Sequence, residues 1–217
     1  MKTDLQIQQD VMDELAWDPI LKVSEIGVTV KDGIVTLSGY VDSYSKKLAV
    51  ENAAKRVKAV KAVAIDIEIK LPTDEKRSDA DIAAAALTTL KWSRFVPDDR
   101  VKLEVENGWV TLEGELEWQY QKESAAIAVK DLIGVRGISN LIKVRPAISP
   151  ILVKDAIKKA LERSADIEAS GISITTEGGK IMLRGKVRSW GERSEVERAV
   201  WATPGVMEVT DELVIAP

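Results

Sequence analysis

Two kinds of side chain are spaced so that they could do chemistry. Carboxylates come in close pairs, Asp79 with Asp81 and Asp98 with Asp99, a spacing that suits acid/base work or a hard cation. The sequence contains no histidine and no cysteine. That removes Ser-His and Cys-His nucleophile pairs and the imidazole and thiolate ligands of most metal sites. Only carboxylate, lysine or hydroxyl chemistry is left, so the chain reads as a non-enzyme without catalytic residues. The carboxylate pairs fall in a turn and a linker, where helix capping and solvation account for them. The stretch Gly179 to Val187 superficially resembles a phosphate loop, but its glycines are one residue too far apart and Val187 stands where Ser or Thr is needed. It reads as a strand.

Aromatics are the second group. Tyr44, Trp109, Trp118, Tyr120, Trp190 and Trp201 fall where a fold does not ordinarily need them, so an element-by-element reading is required to say which way they point.

The elements repeat. Three segments share a Gly-x-x-x-x-x-Gly frame: Gly33 to Gly39, Gly108 to Gly114 and Gly179 to Gly185. Counting 14 residues on from the second glycine gives Ala53, Ala128 and Ala199, and 21 gives Val60, Val135 and Val206. Counting 24 back gives Leu15, Leu90 and Leu161. No gap is needed in either direction, which identifies three tandem units: 1–72, 73–146 (with a linker at 73–78) and 147–217. Proline-bearing connections, Pro72 to Ser78 and Pro146 to Pro150, separate them.

Each unit predicts the same order. An amphipathic helix comes first, with Ile7, Val11 and Leu15, then Ile82, Ala86 and Leu90, then Val153, Ile157 and Leu161 on its apolar face. Two strands follow, joined by Asp32-Gly33, Asn107-Gly108 or Gly178-Gly179, the residues of a tight hairpin. Val35/Leu37, Val110/Leu112 and Ile181/Leu183 should face the core. Gly33, Gly108 and Gly179 then serve the turn, and Gly39, Gly114 and Gly185 mark a strand end that another segment passes closely. A second helix is expected near 46–58, 121–132 and 192–202, and a last strand over 63–69, 138–144 and 206–215. The fold class is α+β: three tandem αββαβ domains, each a three-stranded mixed sheet with two helices on one face. Strands two and three should be parallel, with a right-handed crossover.

Bulk properties agree with a self-sufficient globular protein. Of 217 residues, 45% are hydrophobic and 30% charged, with a net charge of −4. Lys+Arg against Asp+Glu is 10 to 11, 11 to 13 and 10 to 11 in the three units, so no unit offers the basic cluster that nucleic-acid binding requires. The first ten residues lack an apolar leader core, and no run approaches the ~20 apolar residues of a membrane span. The expected location is the cytoplasm.

Val35-Thr-Leu37-Ser-Gly39-Tyr-Val41 with Ala53, Val110-Thr-Leu112-Glu-Gly114-Glu-Leu116 with Ala128 and Gly134-Val135, and Ile181-Met-Leu183-Arg-Gly185-Lys-Val187 with Ala199 and Gly205-Val206 resemble the BON domain (bacterial OsmY and nodulation). Repeat one departs at the closing glycine, where Ala59 stands, so the turn after its helix is expected to differ. The resemblance implies a non-enzymatic protein associated with osmotic stress, phospholipid surfaces, or ligand and partner binding. The alternative is a sensor of a monovalent cation such as potassium, or of an osmolyte, through backbone carbonyls and turn carboxylates; backbone ligands leave no side-chain signature.

Within this frame the aromatics can be sorted. Trp17 and Trp92 are equivalent, each 22 residues before its anchor glycine, and Arg163 replaces them in unit three. A shared core or capping role is expected for both. Trp109 should point away from the core with Thr111 and Glu113, because Val110 and Leu112 point inward. Trp201, two residues past Ala199 and so about 200° around its helix, should face away from its own core. Tyr44, Trp118, Tyr120 and Trp190 fall in the loop after the anchor glycine. The expected function is a stress-response binding or scaffold protein acting through the surfaces between its BON domains, with packing between those units the first explanation of the outward aromatics. Its candidate contacts are Tyr44, Trp109, Trp118, Tyr120, Trp190 and Trp201, and its candidate partners are a second copy, another protein or an anionic phospholipid surface.

Overall fold

A computed structural model describes residues 2–72, 76–146, 157 and 171–216. The first helix, α1 (Asp4–Trp17), starts at a capping box. The Thr3 hydroxyl accepts from the Gln6 N–H, and the Gln6 side chain accepts from the Thr3 N–H at 2.9 Å. Ile7, Val11 and Leu15 lie on one stripe and are buried, as their spacing predicts. A 3-10 turn, Val23–Glu25, leads into β1 (Ile26–Lys31) and β2 (Ile34–Val41), which pair antiparallel. Asp32 and Gly33 both have positive φ (54° and 78°), the mirror-image turn that matches strand twist. Then α2 (Tyr44–Arg56) crosses to β3 (Ala62–Ile69), which runs parallel to β2. The sheet order is β1-β2-β3, so the buried Val35 and Leu37 sit on the central strand.

The second repeat follows suit with α3 (Asp79–Trp92), the 3-10 turn Asp98–Arg100, β4 (Val101–Glu106), β5 (Trp109–Leu116), α4 (Gln119–Lys130), β6 (Gly137–Asn140) and β7 (Lys143–Val144). Its sheet order is β4-β5-β6, with β7 also pairing β5. The strand expected to run unbroken over 138–144 is thus interrupted at Leu141 and Ile142, where Asn140 turns its side chain into local bonds. Its Nδ2 donates to the Lys122 carbonyl at 2.7 Å and its Oδ1 accepts from the Ile142 N–H. The third repeat supplies β8 (Ile172–Glu177), β9 (Lys180–Val187), α5 (Trp190–Trp201) and β10 (Glu208–Ile215), in the order β10-β9-β8. Its predicted first helix and the Pro146 to Pro150 connection lie largely outside the described residues. Ile157 is described and is fully buried in that repeat's core.

Residues Met1–Ala86, Glu104–Val110 and Val129–Ser139 make one compact unit, and Leu87–Leu103, Thr111–Ala128 and Asn140–Pro217 make another. The anchor glycines behave as expected. A Cβ on Gly39, Gly114 or Gly185 would stand 2.1, 2.1 or 2.2 Å from the carbonyl oxygen of Glu25, Arg100 or Gly171, so only glycine lets the incoming loop pass.

Four expectations change. The second helices begin two residues earlier than predicted, because Ser43 and Ser189 cap them by accepting from the Lys46 and Glu192 N–H groups. The turn after α2 does not depart from the others: Ala59 adopts φ 75°, alongside 96° and 92° at Gly134 and Gly205. The alanine 14 residues after the anchor is fully buried only in repeat one; in repeats two and three the next residue, Val129 or Val200, takes the core position. Asp79 and Asp81 lie in the first turn of α3 rather than in a linker.

Candidate functional site

Asp79 and Asp81 serve the fold. Asp79 accepts from the Asn107 and Gly108 N–H groups, both at 2.8 Å, and Asp4 holds Asp32 and Gly33 in the same way at 2.8 and 3.0 Å. Each carboxylate therefore ties a helix start to a hairpin turn. Asp81 bonds the Ser78 hydroxyl and N–H, which holds its carboxyl below the usual range. Among the described residues no three Asp or Glu side chains converge as a metal site.

The aromatics separate into three places. Trp109 lies on the sheet face away from the core, as its strand alternation predicts: Val110 and Leu112 are buried while Trp109 and Glu113 are exposed. Its ring covers Gly137, where a Cβ would meet the indole at 2.3 Å, and its Nε1 donates to Ser139 Oγ at 2.8 Å. Tyr44 is the first residue of α2. Burial raises its phenol pKa, Glu51 adds to the rise, and the neighbouring Ile138 N–H opposes both.

Trp190, the first residue of α5, is half-buried under the Arg193 guanidinium, 5.2 Å from the ring centre. Arg193 in turn bonds Asp211 at 2.6 Å. This indole is engaged inside its own repeat.

Trp118, Tyr120 and Trp201 share one cavity wall. They line a cavity of about 510 Å³ within one compact unit, together with Gln119, Glu123 and Arg198. Tyr120 stacks beside Trp118, with centroids 6.4 Å apart and planes at 30°, and takes Phe95 edge-on at 6.3 Å. Trp201 does not face away from its core; it is half-buried against it. The inward line of α5 is Val196 and Val200, so Trp201 is about 100° from the core direction, where Ala199 as reference implied about 200°. It also lines a second cavity of about 590 Å³ with Lys122, Lys143, Arg145 and Lys180. There, burial lowers the pKa of Lys122.

Trp17 and Trp92 overturn the expected core or capping role. They are 87% and 84% exposed. Each ends its helix two residues past an inward leucine, about 200° around, which is the signal that places them outside. Ile20 and Phe95, three residues further on in each repeat, are exposed too, so the pattern Trp-x-x-apolar at equivalent positions marks a surface feature that residue-by-residue reading missed.

The BON domain family model matches residues 3–70, 78–146 and 152–217. The chain belongs to the BON domain family, with three copies of the domain. A curated relative, osmotically-inducible protein Y of Escherichia coli (strain K12), is 28% identical over 132 residues, which is 58% of this chain and 64% of that protein. The match thus spans less than two thirds of the relative's length. Two solved structures of CdsD, a structural protein of the type III secretion system of Chlamydia trachomatis, are each 15% identical. The C-terminal-domain structure is covered 100% in both directions at a TM-score of 0.28, and the other covers 96% of this chain and 91% of its own at 0.27. Scores that low carry no conclusion about this chain. No helix among the described residues is long and apolar enough to cross a membrane.

Proposed function

We propose that this chain is a non-enzymatic binding protein of the osmotic-response type, which docks onto a partner protein through apolar side chains that its repeats leave in solvent. Family membership and the likeness to osmotically-inducible protein Y support the stress context. The observation that carries the binding role is the matched exposure of Trp17 and Trp92. A fold gains nothing from an indole in water, whereas covering 150–250 Å² of it returns roughly 4–6 kcal/mol before association costs. Each such position, with the exposed Ile20 or Phe95 that follows it, supplies its own repeat with a docking anchor.

A photo-cross-linking residue placed at 17 or 92 should give a discrete adduct in osmotically stressed cells, and the same residue at exposed Lys102 should not. Identical adduct patterns at all three positions would remove the reading. Anionic phospholipid is the second reading, favoured by Lys91 and Arg94 beside Trp92 and Phe95. It requires a fluorescence blue shift with phosphatidylglycerol vesicles that Trp92→Ala abolishes.

A further inference from the structure

We infer that the cavity walled by Trp118, Tyr120 and Trp201 is a small-ligand site for a quaternary ammonium group. Its volume of about 510 Å³ lies within the roughly 300–1,000 Å³ of small-molecule sites. The walls are aromatic, and ring faces carry the negative side of the quadrupole, which attracts a cation. The formal charges point the same way. Arg198 is ion-paired with Glu195, one turn away on α5. Glu123, on α4, accepts a hydrogen bond from the Gln119 side-chain amide at 3.1 Å and makes no ion pair among the described residues. The lining therefore holds the Glu123 carboxylate and an Arg198 guanidinium that Glu195 already pairs from outside it, beside three aromatic rings.

Competing ligands fit less well. A bare alkali cation demands several oxygen ligands, and this wall is built mainly of carbon. A primary ammonium brings three N–H donors, and each one left without an acceptor costs free energy. A trimethylammonium group brings no N–H, spreads its charge over methyl groups and loses little hydration against indole and phenol faces. An anion would be repelled by the Glu123 carboxylate, and the Arg198 guanidinium in the same lining is already paired with Glu195. Partner docking rests on Trp17 and Trp92 with Ile20 and Phe95; of these Phe95 touches a wall of the site, edge-on against Tyr120, and because Trp118→Ala and Glu123→Gln alter no docking residue, the two readings fail independently.

The test is titration of the full chain, followed by tryptophan fluorescence and calorimetry, with choline chloride, with its neutral carbon isostere 3,3-dimethyl-1-butanol, and with potassium chloride at matched ionic strength. Choline should saturate, and the isostere should bind at least about ten-fold more weakly, since roughly 1.4 kcal/mol of cation attraction is lost. Trp118→Ala and Glu123→Gln should each weaken choline about ten-fold, and Glu123→Gln, at an exposed position, should leave the melting midpoint in place. Phosphatidylcholine vesicles separate a lipid headgroup from a free solute: binding to vesicles that Trp118→Ala abolishes supports the site with the headgroup as ligand. Equal affinity for choline and its isostere overturns the proposal, as does choline binding that neither variant changes. Failure to bind either free choline, up to about 100 mM, or phosphatidylcholine overturns it as well.

Discussion

At the end of the first helix, repeat one leaves Trp17 and Ile20 in solvent and repeat two leaves Trp92 and Phe95 at the equivalent positions. Beyond that shared feature the two surfaces part. Repeat one has Ile34, Ser45, Asn52 and Lys58 where repeat two has Trp109, Tyr120, Ile127 and Ile133, and all four of the latter are exposed. The buried sets part less: Ile7 and Ile82, Leu15 and Leu90, Val35 and Val110, Leu37 and Leu112 are the same residue in the same place, while Val11 and Ala86, Val50 and Ala125, and Ala54 and Val129 exchange size. Close packing keeps core positions apolar and lets them change size only where neighbours change with them, while the outer face is free to vary. Repeat two has used that freedom for aromatic and aliphatic contact area, so ligand and partner contacts belong there first.

The strongest way to break the equivalence of the cores is at the loop crossing. Gly39→Ala and Gly114→Ala each put a Cβ 2.1 Å from a backbone carbonyl at φ 118° and 142°. Each should lose at least about 2–3 kcal/mol in denaturant unfolding. A loss below about 0.5 kcal/mol at one position only would show that the repeats hold this loop differently.

Smaller is the effect at the helix-to-hairpin tie. Asp4→Ala and Asp79→Ala each free two turn N–H groups and should cost about 1–2 kcal/mol, measurable as a lower melting midpoint of the affected repeat. Repeat three has Pro150 at that position in the sequence. Unequal losses at Asp4 and Asp79 would sharpen the contrast between the first two repeats.

Smallest, and of opposite sign, is Ala59→Gly. Ala59 occupies the left-handed conformation that glycine fills in the other repeats. The substitution should stabilise by about 0.5–1 kcal/mol, relief of strain outweighing the entropy of the added freedom. The reverse change, Gly134→Ala, should destabilise by more, because its Cβ would also meet Ile82 Cδ1 at 2.9 Å. A neutral Ala59→Gly would mean that the two closing turns are not energetically alike.

The count of repeats, the order of elements among the described residues, the hairpin turns, the crossing glycines and most core positions were legible from spacing alone. Each rests on local rules: a period of 3.6 or 2, a positive φ, or the absence of a Cβ. The same rules oriented Trp109 correctly, since strand alternation leaves only two directions. They misplaced Trp201 because helix rotation was referred to Ala199, while packing had chosen Val200, and a one-residue error on a helix turns a side chain by about 100°. Trp17 and Trp92 differ from expectation for another reason: equivalence between repeats marks a shared position but not a buried one, and two residues past Leu15 or Leu90 is nearly the opposite face. Tertiary structure alone decided that Trp118, Tyr120 and Trp201, 83 residues apart at their extremes, share one cavity with Glu123. No local rule brings residues so distant in sequence together; the closing of packed surfaces does, and that depends on the whole fold at once.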